Sequence, residues 1–176
     1  SGTRADSDGG GNNLTDNNTV GQSAGKIVNA ANFIRANAEY LSIADNASLS
    51  LGADSAFTWS YWVKFTTLPV ANYFGLINKW ADFNFNEQAE FGFFAYAAAP
   101  ERIGFYVGNN TTNASVLSAQ VVTGTWYFIV GYHDPVANTI GISTDGAAAT
   151  TAAWSGGTFN GASAMWFGTT ARTTTD

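Results

Sequence analysis

Residues 124–134 read Gly-Thr-Trp-Tyr-Phe-Ile-Val-Gly-Tyr-His-Asp, and no other stretch restricts the fold of this chain as tightly. Gly124 and Thr125 close a turn, and an aromatic and β-branched run follows. Successive side chains of a strand point to opposite sides. Trp126, Phe128, Val130 and Tyr132 therefore share one wholly apolar face, while Tyr127, Ile129, Gly131 and His133 share the other. The first face is assigned to the core. That leaves Tyr127 as the member of the stretch that looks toward a ligand. Asp134-Pro135-Val136-Ala137-Asn138 is turn chemistry. A second strand is expected over 139–144, and Asp145-Gly146 is a further turn signal.

The same grammar recurs along the chain. In 57–65, Phe57, Trp59, Tyr61, Val63 and Phe65 alternate with Thr58, Ser60, Trp62 and Lys64, so this strand has a core side and a solvent side. Further strands are expected at 40–44, 73–80, 90–96, 102–107, 115–121, 148–154 and 164–168. Ile27, Ala30, Ala31 and Ile34 have helical spacing, but Asn29, Asn32 and Asn37 weaken a helix and a strand over 30–33 is favoured. Residues 1–25 are a loop-rich lead-in with a short β segment near Leu14. About ten short strands with turns every ~8–12 residues point to an all-β fold. The expected architecture is a two-sheet antiparallel jelly-roll sandwich, one domain over residues 1–176.

Composition narrows the functions. The net charge is −6 and the seven Lys and Arg form no run. That argues against nucleic acid, which needs a basic patch. No apolar run approaches the ~18 residues of a membrane span, so membrane insertion is not expected. There is no cysteine and one histidine, His133, so thiolate and multi-histidine metal sites are excluded. Few charges (11%) and many aromatics (15%) suit an extracellular, cell-surface or virion-surface protein.

Catalysis finds little support. No Gly-x-Ser-x-Gly elbow presents a nucleophile, and His133, beside Asp134 and Pro135, reads as a turn residue. Retaining sandwich glucanases carry Glu-x-Asp-x-Glu on one strand to place two acids in a cleft. The four glutamates here are Glu39, Glu87, Glu90 and Glu101, and none lies in such a motif. A glycoside hydrolase is thus the third choice of function.

Calcium is the cofactor expectation. Asp82, Asn84 and Asn86 place side-chain oxygens at alternate positions, with Glu87 following. The loop resembles half an EF-hand, but Glu87 stands where that motif needs Gly and Phe93 where it needs Glu. A polar hairpin loop is the competing reading, and Asp6 and Asp8 form a weaker candidate. For carbohydrate, flat aromatic rings on exposed strand faces are the expected platform. Trp62, Tyr106, Tyr127 and Trp166 are the strand candidates, together with Phe94 and Tyr96, and Phe83 and Phe85 are loop candidates.

Several segments together resemble the laminin-G-like, concanavalin A-like lectin/glucanase superfamily in its bacterial and phage branch. They are Gly25-Lys26-Ile27-Val28-Asn29-Ala30-Ala31-Asn32-Phe33, Tyr40-Leu41-Ser42-Ile43-Ala44-Asp45-Asn46-Ala47-Ser48-Leu49, Phe57-Thr58-Trp59-Ser60-Tyr61-Trp62-Val63-Lys64 and Ile77-Asn78-Lys79-Trp80. The Thr125-Trp126-Tyr127 strand completes the set. Members usually begin with a Trp-x-Leu-Asp-Glu strand and finish with Gly-x-Ile-Asp-Glu-Val. Neither is present, so the resemblance implies a fragment lacking its first and last strands. It also implies a non-catalytic recognition module of a larger secreted or surface protein, most simply one that binds carbohydrate in adhesion. The alternative is a structural or assembly module of a cell-surface or virion protein. Expected partners are a glycan or a surface protein, with self-association through open sheet edges.

Overall fold

The computed structural model describes residues 3–80 and 89–169. Among these residues the chain forms strands β1 (Thr3–Arg4), β2 (Leu14–Asn17), β3 (Gly21–Ala24), β4 (Asn29–Asn32), β5 (Tyr40–Ile43), β6 (Phe57–Lys64) and β7 (Tyr73–Trp80). They are followed by β8 (Ala89–Tyr96), β9 (Arg102–Gly108), β10 (Asn113–Gln120), β11 (Trp126–Asp134), β12 (Thr139–Thr144), β13 (Thr150–Ala153) and β14 (Met165–Phe167). A single 3-10 turn, Arg35–Asn37, stands where helical spacing competed with strand, and the asparagine-rich residues before it form β4. Every pairing is antiparallel.

Eight strands form one sheet in the order β1-β2-β5-β14-β7-β8-β9-β10, and four form the other in the order β13-β12-β11-β6. β3 and β4 make a separate hairpin. This is the expected all-β sandwich. Phe91, Phe93, Ile103, Phe105, Val107 and Val116 of the larger sheet and Tyr127, Ile129, Ile140 and Ile142 of the smaller one fill the space between the layers. Phe93 stacks on Phe105 with centroids 4.6 Å apart and meets Tyr61 edge-on at 5.1 Å. Rings dominate this core because each buries a large area with few rotatable bonds.

β6 behaves as read: Phe57, Trp59, Tyr61 and Val63 pack on the core, and Thr58, Ser60, Trp62 and Lys64 face out. β11 is reversed. Tyr127, Ile129, Gly131 and His133 are buried, while Trp126, Phe128, Val130 and Tyr132 are only partly so. The cause is pairing. Directly opposite residues of an antiparallel pair share a face, and Tyr127 lies opposite Val63, Ile129 opposite Tyr61 and Gly131 opposite Trp59. Gly131 is required there, because a Cβ would collide with the Phe93 ring.

Candidate functional site

The reversal of β11 turns its aromatic side outward and builds a platform on the smaller sheet. Phe128 lies opposite Trp62, Trp126 opposite Lys64, and Tyr132 opposite Thr58. Trp62 is 37% exposed, and Trp126, Phe128 and Tyr132 are half-buried. The Trp62 and Phe128 rings are 5.2 Å apart and tilted by 39°. Tyr132 lies across Gly141 of the neighbouring strand, in space that a side chain there would fill. Two lysines frame the rings. The Lys64 ammonium stands 5.1 Å from the Trp126 centroid, and that of Lys26 5.2 Å from Trp62. Lys26 comes from the β3–β4 turn, which the Gly25 N–H closes by donating to the Val28 carbonyl at 2.8 Å.

The predicted carbohydrate residues do not form one site. Trp62 belongs to this platform. Tyr127 does not: it is 8% exposed, packs in the core, and its hydroxyl accepts the Val122 N–H at 2.9 Å. Its assignment to a ligand face is corrected by the register of β11. Tyr106 and Trp166 lie on the outer face of the larger sheet, but on β9 and β14, with β7 and β8 between them. Trp166 packs beside Tyr40 at 5.4 Å. Tyr106 joins a self-packed group with Trp80, Phe94 and Tyr96, and its hydroxyl bonds that of Tyr96. Phe94 and Trp80 in that group are buried, so it offers less open ring surface than the smaller sheet. Phe83, Phe85 and the calcium candidates Asp82, Asn84, Asn86 and Glu87 lie outside the described residues.

Among the described residues no group of three or more His, Cys, Asp or Glu side chains is placed to hold a metal ion. Asp6 accepts the backbone N–H groups of Asp8 (3.2 Å) and Asn12 (3.0 Å), and Asp8 accepts that of Gly10 at 2.7 Å. The Asn12 N–H, then the Asp8 side chain and N–H, hold the Asp6 carboxyl below its usual range. These acids organise the glycine-rich loop.

His133 is a core residue rather than a turn residue. Its Nδ1–H donates to the Ser55 carbonyl at 2.7 Å, and its Nε2 stands 3.9 Å from Asp54. A buried ion pair joins Lys79 to Glu90, both with fully buried side chains. Lys79 also reaches Asp45 and the Gly161 carbonyl, each at 2.8 Å, and Glu90 accepts the Gly161 N–H at 2.7 Å. Burial pushes the Glu90 carboxyl up, against Lys79 and the Gly161 and Leu51 N–H groups, which hold it down. Glu90 is fully buried and ties its strand to Lys79 and to the Gly161 backbone.

Sequence reasoning missed Trp126, Phe128 and both lysines as site residues. The one signal available was Gly131, since a glycine inside a strand marks the side on which another group approaches closely.

No curated protein matches the chain. Among solved structures, the binding domain of Paraclostridial Mosquitocidal Protein 1 superposes with a TM-score of 0.74 at 12% identity. The match covers 94% of this chain and 42% of that one, so the chain spans less than half of that structure, and the likeness is one of fold. The Laminin_G_3 family model, described as concanavalin A-like lectin/glucanases superfamily, matches residues 35–176. With its two antiparallel sheets and a family match over most of its length, the chain belongs to the concanavalin A-like lectin/glucanases superfamily.

Proposed function

We propose that this domain is a non-catalytic carbohydrate-binding module, acting outside the cell as part of a larger surface or secreted protein, and that its binding surface is the outer face of the smaller sheet. One observation carries the reading: Trp62, Phe128 and Trp126 lie side by side on a regular sheet with ring surface open to solvent. A sugar ring presents C–H groups on its flat side and hydroxyls around its edge. Stacking on an aromatic face removes the C–H side from water and leaves the hydroxyls free for the Ser and Thr of the same face. Strand residues hold such a platform more rigidly than loop residues would. Two features support the absence of catalysis. The strand motif of retaining sandwich enzymes is missing, and Glu90, the buried acid that has a second carboxylate near it through Lys79, is sealed from solvent.

A polysaccharide retention assay on the intact domain tests this. Trp62→Ala removes the most exposed ring and is expected to weaken binding by about 10-fold, on the scale of the ~1–3 kcal/mol per ring found when an aromatic that stacks on a nucleobase is removed. Its unfolding midpoint is expected to stay within a few degrees of the parent, because the ring lies outside the core. Unchanged retention in Trp62→Ala rejects the platform. Unchanged retention together with oligomers in solution favours the assembly reading, for which Ile27 and Val28, 73% and 84% exposed at the hairpin turn, are the supporting observation.

A further inference from the structure

The lysines against the platform bear on which glycan it takes, an inference that rests on the carbohydrate reading above. Lysine is scarce in this chain: Lys26, Lys64 and Lys79 are all there are. Lys79 is sealed with Glu90. The other two both stand over platform tryptophans, and they come from different elements, β6 and the β3–β4 turn. Two independent placements of a scarce residue over the two tryptophans of one surface, in a chain of net charge −6, put cationic groups where a ligand would stack.

The position of each ammonium matters as much as its charge. It lies over the π face, where a stacking sugar would place its C–H side. A neutral sugar arriving from that side displaces the cation and offers it only uncharged hydroxyl and ring oxygens, which are weaker acceptors than a carboxylate. A sugar with a carboxylate at the ring edge exchanges the cation–π contact for a charge-assisted hydrogen bond. One acid stands beside the rings: Asp145, across from Phe128, accepts the Phe128 N–H on its carboxylate at 2.7 Å and donates its own N–H to the Phe128 carbonyl at 2.8 Å, so the backbone holds it. Among the described residues the outward positions of β6 and of β11 as far as Tyr132 are Thr, Ser, Trp, Lys, Phe, Val and Tyr. Asp134, next in register, is six residues beyond Phe128, roughly 20 Å along the strand, and accepts the Val136 and Ala137 N–H groups.

We infer that the platform selects anionic polysaccharides with ring-edge carboxylates, the polyuronates, over neutral ones. The test is affinity electrophoresis of the intact domain on polygalacturonate and alginate, each against its carboxyl-methyl ester, with dextran sulfate as the sulfate arm. At least one polyuronate is expected to bind about 10-fold more tightly than its ester, with the gap narrowing in about 0.5 M NaCl. Lys26→Gln with Lys64→Gln is expected to weaken polyuronate binding about 5- to 10-fold and to strengthen ester binding about 2- to 5-fold, as the rings are uncovered. Both lysines are exposed, so the variant is expected to keep the parent's unfolding midpoint. Esters bound as well as the acids, with the lysine variant unchanged but Trp62→Ala still defective, overturn the charge inference and leave the platform standing. Dextran sulfate bound more tightly than every polyuronate overturns the carboxylate assignment. No binding to any of these ligands overturns the inference, and neutral glycans bound through Trp62 alone separate its failure from that of the platform.

Discussion

At pH 7, Lys79→Met is expected to lower the unfolding free energy by about 3–5 kcal/mol, the usual cost of leaving one member of a buried ion pair unpaired. For a domain of this size that corresponds to a midpoint roughly 10 °C lower. The loss should depend on pH in a defined direction. Burial already raises the Glu90 carboxyl, and Lys79 is the strongest of the groups that hold it down. Without Lys79 the folded-state value rises further. Below about pH 4, near the ordinary glutamate value, Glu90 is protonated in both folded and unfolded chains. The variant then lacks only its hydrogen bonds to Gly161 and Asp45. As pH climbs, the unfolded chain ionises while the folded variant resists, so the folded state binds more protons and stability falls. The fall continues until pH passes the raised folded value. Urea unfolding at pH 4 and pH 7 checks this, and a deficit equal at both contradicts it. Adding Glu90→Gln to Lys79→Met should flatten the pH dependence.

Phe93→Ala carries the second large effect. The ring is fully buried, stacked on Phe105 and set against Tyr61, and its removal should cost about 3–5 kcal/mol in transfer and cavity terms. Gly131→Val should cost about 1–3 kcal/mol by itself, because the new side chain enters the space of that ring. Together the two should cost at least about 1 kcal/mol less than their sum, since the valine fills part of the vacated volume. Chemical denaturation of the four proteins measures this coupling. Additive losses, or a harmless Gly131→Val, would mean that β11 does not turn Gly131 inward. Trp126 and Phe128 would then not face out, and the platform would go with them.

That dependence on β11 also marks where the sequence stopped being legible. β6 was readable because Thr58, Ser60 and Lys64 label its solvent side among the aromatics. β11 has no such label up to Tyr132: both of its faces are apolar, so a period of two identifies a strand without saying which face is buried. Its orientation is decided by register with β6, a contact between segments more than sixty residues apart (Trp126 opposite Lys64). Most strands were legible from alternation and turn residues. β3, with the sequence Gly-Gln-Ser-Ala, was not, because it has no apolar alternation and exists by pairing with β4. Lys79 and Glu90 were visible as charges inside apolar strands, but nothing in the sequence said that they meet. Of the platform, Trp62 was legible as the aromatic on a polar face. Lys26 was not, since its ring partner lies on another element.

The most direct test of the platform is to follow the indole N–H signals of the six tryptophans in a two-dimensional NMR titration with a bound oligosaccharide. Trp62 and Trp126 stand on the outer face of the smaller sheet, Trp166 on that of the larger sheet, and the Trp154 N–H is held by the Gly157 carbonyl at 2.8 Å. The Trp62 and Trp126 signals are expected to move and saturate together, while those of Trp154 and Trp166 stay in place. Movement of Trp166 without Trp62 and Trp126 would contradict the platform and put the ligand on the opposite face of the sandwich.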